Sequence, residues 1–416
     1  MRINKNKTNC CGCTACENIC PHNAIKMKPD TLGFLYPEVD NTLCVDCGLC
    51  EKVCAFHKQY DRKLNLPFPM AYAVRHKEVN EIESSQSGAA FIALSDWILD
   101  QGGIVYGVGY KDHFRVVHKK ALTKKERNEF KGSKYVQSDV NTVFSQIKEE
   151  LRNGRVVLFS GTPCQTAGLS SYIGAKLRTN LYLVDIICHG VPGPFIWQDY
   201  IKYLEEKEGL PLTFVNFRDK RLGGWASSIE SFQFADGHTH TYSYKFYTNI
   251  TLRYSCGICP YTNLQRPSDV TVGDFWGVEH TNAFSFAKDS KGCSLVLVNT
   301  EKGEYWFSGI KEHINYISVR LEDCLQPNLQ HPTLLHSKRK DFEQDYKKNG
   351  FYRTMKKYGY IGGLYEIKLI IRKLIPHSIK SKLKIIIKAI FPQLFKEKRF
   401  DYNCFESAKS TSEKCL

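Results

Sequence analysis

Cys10-x-x-Cys13-x-x-Cys16-x-x-x-Cys20-Pro21 stands near the start of the chain, and Cys44-x-x-Cys47-x-x-Cys50-x-x-x-Cys54 repeats it 34 residues later. The spacing has a geometric meaning. Three thiolates two residues apart on a tight loop each reach a different iron of one cubane, and the fourth, carried on a short helix, faces away and ligates the other cluster. On that rule, cluster one takes Cys10, Cys13, Cys16 and Cys54, and cluster two takes Cys44, Cys47, Cys50 and Cys20. C-x-x-C pairs also bind zinc, but eight cysteines in this doubled order fit two [4Fe-4S] clusters better. Leu32-Gly-Phe-Leu-Tyr-Pro between the runs reads as hairpin or strand. Ala55 replaces the proline that usually follows the second run, and Cys11 is an extra thiol outside both ligand sets.

Outward from these runs, the 416-residue chain has 42% hydrophobic residues, which excludes disordered and collagen-like classes. Its 17 cysteines are an odd number, and Met1-Arg-Ile-Asn-Lys shows no apolar signal core, so a reducing, cytoplasmic setting is expected. The formal charge is +15, with 20 Lys+Arg against 8 Asp+Glu from Lys338 onward. Residues 338–416 therefore read as a basic tail. Its segments Tyr365–Pro376 and Lys380–Pro392 set Ile, Leu and Phe opposite Lys and Arg. Such helices suit an anionic membrane surface at the inner face of the membrane, or packing on the body with solvated lysines. No recognition motif accompanies the charge, so nucleic acid is not expected as a partner.

The expected organisation is a ferredoxin-type domain over residues 1–62, an α/β core with a mixed sheet over 68–325, and the basic helical tail. After a linker at Leu64–Met70, strands are expected at Met70–Val74, Gly103–Tyr110, Val156–Ser160 and Leu181–Ile187. Helices are expected at Ser87–Leu99, Val140–Arg152 and Phe195–Glu206. Short antiparallel strands follow between Leu212 and Asp274.

The turns after these strands hold polar chemistry. Ser160-Gly161-Thr162-Pro163-Cys164-Gln165 and Cys188-His189-Gly190 lie at strand carboxyl ends, where open α/β sheets bind ligands. Cys256-x-x-Cys259-Pro260 supplies two further loop thiols before Asp269-Val-Thr-Val-Gly-Asp274-Phe-Trp-Gly277. Four loop cysteines, two of them in a C-x-x-C-Pro context, point to a third cubane. Cys293 and Cys324 read as structural.

These same motifs resemble those of the coenzyme F-420 hydrogenase/dehydrogenase beta-subunit family, over roughly Phe68 to Thr300. The resemblance implies FAD beside a [4Fe-4S] cluster held by Cys164, Cys188, Cys256 and Cys259. It also implies a flavin that exchanges hydride with a deazaflavin or another two-electron substrate. Ser87, Gly88, Ser133, Lys134 and Tyr135 match positions that family members place around the flavin; Gly161 and Thr162 join them as a ligand-binding turn. The electron count agrees: a cubane takes one electron and a hydride carries two, so a converter must stand between them, and flavin is the usual one. There is no G-x-G-x-x-G fingerprint or P-loop for a nicotinamide or nucleotide. Arg218-Asp-Lys-Arg221 is a candidate anion-binding loop, and His189 and Asp274 are the acid–base candidates. An iron–sulfur flavoprotein oxidoreductase is the expectation. The alternative is a non-catalytic electron-transfer subunit that docks a separate redox enzyme, in some bacterial relatives alongside surface polysaccharide synthesis.

Overall fold

The structure is a computed structural model, and it describes residues 6–56, 62–242 and 249–362. The amphipathic tail segments expected at 365–376 and 380–392 lie outside the described residues. Residues 1–354 form one compact unit.

Each cysteine run turns into a short helix, but the fourth cysteine, Cys20 or Cys54, lies just past the helix end rather than on it. Each places its third thiol in a short helix, α1 (Ala15–Ile19) and α2 (Leu49–Lys52), and the sequence between them forms the hairpin β1 (Ile25–Pro29) and β2 (Leu35–Val39). Thr14 and Gly48, the residues before the helices, both have left-handed backbone, which turns the loop sharply into each helix.

Behind this unit lies an eight-stranded mixed sheet. Its strands are β3 (Asn65–His76), β4 (Ile104–Lys111), β5 (Arg115–Ala121), β6 (Val157–Gly161) and β7 (Leu181–Ile186). A separate three-stranded antiparallel sheet follows, of β8 (Leu212–Asn216), β9 (Glu230–Phe234) and β10 (Thr239–Tyr242). The large sheet is completed by β11 (Val270–Asp274), β12 (Ser294–Thr300) and β13 (Ile314–Val319), in the order β13-β3-β12-β11-β7-β6-β4-β5. Only its centre, β11-β7-β6-β4, is parallel.

Helices cover both faces. They are α3 (Val79–Ser84), α4 (Ala90–Asp100), α5 (Lys124–Arg127), α6 (Val143–Arg152), α7 (Pro163–Ile173), α8 (Pro194–Glu208) and α9 (Glu301–Gly309), while α10 (Arg339–Lys357), interrupted at Gly350, meets α8 through Tyr346–Asp199 and Phe351–Tyr200. Alternate residues of one strand point to opposite faces. Leu158 packs with α4 and α9, while Val157 and Phe159 pack with α6 and α7. On the second face Cys13, Ala15 and Val53 join Phe144, Ile147 and Leu169 in a single buried cluster. The ferredoxin-type unit thus shares its core with the sheet-covering helices.

Two sequence expectations are corrected. The linker at 64–70 is largely strand, because β3 begins at Asn65. Its prolines are tolerated because β13 pairs only from Ala71 onward, leaving one side of that stretch unpaired. The section from Leu212 to Asp274 is not uniformly antiparallel either, since β11 runs parallel to β7 in the large sheet.

Candidate iron–sulfur centres

The twelve predicted ligand cysteines form three groups. Cys54 lies within electrostatic reach of Cys10 and Cys16, so the fourth cysteine of the second run joins the first three of the first run. In the reciprocal group, Cys20, Cys44, Cys47 and Cys50 line one pocket together with His22, Val45 and Leu49. The two groups differ in burial. Cys10 and Cys13 are buried, whereas Cys47 is exposed and is bordered by exposed Leu43, Val45 and Leu49.

The inner group is assembled by the ends of two adjacent parallel strands. Strand β6 delivers Cys164 to the first turn of α7, where the Thr162 backbone N–H donates to Gln165 Oε1 at 3.0 Å. The Thr162 hydroxyl lies 3.3 Å from Cys164 Sγ. Cys188 follows β7, and Cys256 and Cys259 come from the loop before β11; all four are mutual electrostatic neighbours. That loop is fastened under β7 by the buried pair Arg266–Asp185, at 3.1 Å. Gly190 keeps the Cys188 turn close, since a Cβ there would meet Cys256 Cβ at 3.3 Å.

The donor set fits a metal cluster. Burial pushes Cys256 up to about 11, Cys259 to about 12 and Cys188 well above the usual thiol value. Thiols so placed stay protonated unless a cation supplies the opposing charge, which cluster iron does. Cys164 differs: a hydrogen bond from Cys11, helped by Thr162, brings it down to about 7. No described cysteine is in a disulfide.

Two residues without a role in the spacing rule sit between cluster one and the inner group. Cys11 is buried, with its thiol within hydrogen-bonding reach of the sulfurs of Cys13 and Cys164. Arg253, 1% exposed, donates through Nε to the Cys10 carbonyl at 2.7 Å, through Nη2 to the Leu35 carbonyl at 2.8 Å and through Nη1 to Gln137 Oε1 at 2.9 Å. Gln137 Nε2 in turn donates to the Cys11 carbonyl at 2.8 Å. Adjacent cysteines and an arginine three residues before a C-x-x-C were the available signals, but neither has a spacing rule attached.

The remaining predicted residues take other partners. Ser87 donates to the Cys293 carbonyl at 2.6 Å, and the Gly88 N–H donates to Ser294 Oγ at 2.9 Å; a Cβ on Gly88 would fall 2.1 Å from the Val74 carbonyl oxygen. Lys134 donates to the carbonyls of Glu129 and Lys131, and burial lowers it to about 7. Tyr135 meets Phe217 edge-on, and Ser133 lies in the same turn. Lys131 bonds Ser84 and pairs with Glu81, so the turns around 84–88 and 131–135 adjoin. Gly161 and Thr162 belong to the Cys164 turn. His189 Nε2 lies 2.7 Å from Asn249 Oδ1, whereas Asp274 pairs with Arg218 and accepts from Trp225 Nε1 at 2.7 Å. The two acid–base candidates therefore face different partners. Arg218 is buried on Asp274 and over Trp276, a structural anchor within the candidate anion loop. Cys293 and Cys324 are buried, as expected of structural thiols. Among the described residues no helix is long and apolar enough to cross a membrane.

Two known families match parts of the chain. Residues 9–58 match the 4Fe-4S dicluster domain, a span that includes all eight cysteines of the doubled run. Residues 154–322 match the C-terminal part of "Coenzyme F420 hydrogenase/dehydrogenase, beta subunit", a span that includes all four inner cysteines. Among solved structures, a chain of the F420-reducing [NiFe] hydrogenase complex from Methanosarcina barkeri is 16% identical, with a TM-score of 0.44, covering 73% of this chain and 97% of that one. A search of curated proteins finds no match. Over residues 154–322 the chain is similar to the C-terminal part of the coenzyme F420 hydrogenase/dehydrogenase beta subunit, and in front of that stretch it is similar to the 4Fe-4S dicluster domain.

Proposed function

We propose that this protein is a three-cluster electron-transfer subunit whose core (residues 68–325) passes electrons between the ferredoxin-type unit (residues 1–62) and a flavin. The observation that carries the reading is the convergence of Cys164, Cys188, Cys256 and Cys259 in a half-buried site next to the cluster-one thiols. Bound [4Fe-4S] clusters supply one-electron exchange without proton transfer. The chain's own residues do the rest. The exposed Cys47 loop, with Leu43, Val45 and Leu49 around it, offers an apolar contact for a redox partner protein. Burial of Cys11 and Cys13 under α6 and α7 keeps water from the middle of the route.

At the far end, the adjoining turns that contain Ser87, Gly88, Ser133, Lys134 and Tyr135 would border FAD. The Lys134 ammonium and the backbone donors of that turn suit an anionic part of the cofactor. His189 and Asp274 are the groups proposed to manage protons during exchange of hydride with a deazaflavin or another two-electron substrate. The name of the matched family favours the deazaflavin.

Anaerobic purification followed by iron, sulfide and flavin determination tests this. About twelve iron and one FAD per chain are expected, falling to about eight iron in Cys164→Ala. Eight iron in both proteins would reject the inner cluster, and twelve iron without flavin would leave an electron-transfer subunit with no hydride chemistry.

A further inference from the structure

Arg253 is a buried cation whose described contacts include no carboxylate. Its three hydrogen bonds go to two carbonyls and an amide oxygen, and its flanks are the rings of Tyr36 at 4.2 Å and Phe34 at 5.3 Å. A buried charge with only neutral acceptors is strongly unfavourable unless an anion lies nearby. The titratable groups around the guanidinium are the Tyr36 phenol and three thiols: Cys10 and Cys11 on the ferredoxin side, and Cys256 on the inner side. Two glycines keep this junction tight. A Cβ on Gly12 would fall 2.8 Å from Arg253 Nη1, and one on Gly168 would fall 2.8 Å from Cys13 Sγ. Gly168 lies one turn after Cys164 on α7, so the helix that presents an inner ligand also contacts a cluster-one ligand. Cys11 fills the gap, with its thiol placed to donate to the sulfur of either.

We infer that Arg253 and Cys11 form a shared junction that raises the reduction potentials of cluster one and the inner cluster together. The guanidinium is their common countercharge, and the Cys11 thiol is a hydrogen-bond donor to their ligand sulfurs. The inference rests on the three-cluster reading above. One-electron exchange between two adjacent sites makes no bond and moves no proton; the electron that leaves one site enters the other. What the surroundings must supply is a charge that stabilises the extra electron equally on either side. Cations and hydrogen bonds near the sulfurs do this, because the reduced cluster carries one more negative charge. A cation placed between two sites favours both reduced forms and keeps the transfer between them close to level. Cluster two lies on the outer side, and neither Arg253 nor Cys11 is among the residues that line its pocket.

The test is an EPR-monitored redox titration of the anaerobically purified holoprotein and its Arg253→Gln, Arg253→Lys and Cys11→Ala variants, with iron counted on the same samples. Arg253→Gln is expected to lower the equilibrium constant for reducing cluster one, and that for the inner cluster, at least tenfold each, about 59 mV for one electron. Cluster two is expected not to move. Arg253→Lys, which keeps the charge, should recover most of the loss. Cys11→Ala should shift the same two potentials in the same direction with iron unchanged, and it decides the matter if Arg253→Gln fails to fold. A shift confined to one cluster, an equal shift of all three, or no shift would overturn the junction. About eight iron in the wild-type protein would instead overturn the inner cluster itself.

Discussion

Replacing Arg266 with methionine isolates the contact that holds the Cys256–Cys259 loop in place. Asp185, 0% exposed, stands near the end of β7 three residues before Cys188, and Arg266, 1% exposed, follows Cys259 by seven. Arg266 reaches Asp185 Oδ1 through Nη2 at 3.1 Å, and donates to the Ile186 carbonyl at 2.9 Å and to the Tyr261 carbonyl. One side chain therefore ties two cysteine-bearing loops together. Burial already raises the Asp185 carboxyl above its ordinary value, and Arg266 is the cation that opposes this. Removing the partner of a buried ion pair costs about 3–5 kcal/mol, because the remaining charge is left without compensation. At about 1.4 kcal/mol per factor of ten, local opening of the segment around residues 256–268 should increase by roughly two to three and a half orders of magnitude. Thermolysin cleavage under native, anaerobic conditions reads that opening directly. The sign of the pH effect is also set. Without Arg266, the folded-state value of Asp185 rises further, so the variant loses stability as pH rises from the ordinary carboxylate range toward neutrality, and is relatively stronger in mild acid. Asp185→Asn combined with Arg266→Met should recover most of the loss. An Arg266→Met protein cleaved no faster than wild type, or a double variant no better than the single, would refute this account of the site's assembly.

His118 makes a second pH prediction. Buried against Phe159, with its ring nitrogens on Ser138 and the Ser160 carbonyl, it is lowered by burial to about 4. The unfolded state takes up the proton first as pH falls, so stability present above about 6.5 should be lost toward 4, amounting to about 2 kcal/mol between pH 7.5 and pH 5. His118→Gln should flatten that part of the urea-midpoint profile, and an unchanged slope would assign it elsewhere. Gly168→Ala should gain about 1 kcal/mol of helix propensity yet lose about 1–3 kcal/mol to overpacking on Cys13. The expected outcome is a lower thermal midpoint and faster loss of cluster one in air; a stabilised variant with cluster one intact would contradict the docking described for α7.

What the sequence could reveal followed the range of each signal. The eight ferredoxin-type cysteines were legible because their chemistry depends on short spacing, and Leu32–Pro37 read correctly as a hairpin. Cys164 and Cys188 were legible as strand-end residues, although only the fold brings them to Cys256 and Cys259. β5 escaped notice because Arg115, Lys119 and Lys120 make it resemble a surface loop, which is how an edge strand protects itself. Pro67 and Pro69 hid the start of β3 for the related reason that one side of that stretch is unpaired. Arg253 was invisible because its acceptors, Cys10, Leu35 and Gln137, are all more than a hundred residues away in sequence. Cys11 looked surplus because the ligand rule counts only the other eight.

Whether the core holds a cluster of its own beside the ferredoxin pair is read most directly by native mass spectrometry under anaerobic conditions, which counts intact clusters on the chain. Three are expected in the wild-type protein and two in Cys188→Ala, with three retained in Cys11→Ala. Two clusters in the wild type, or three retained after loss of Cys188, would contradict a third cluster in the core.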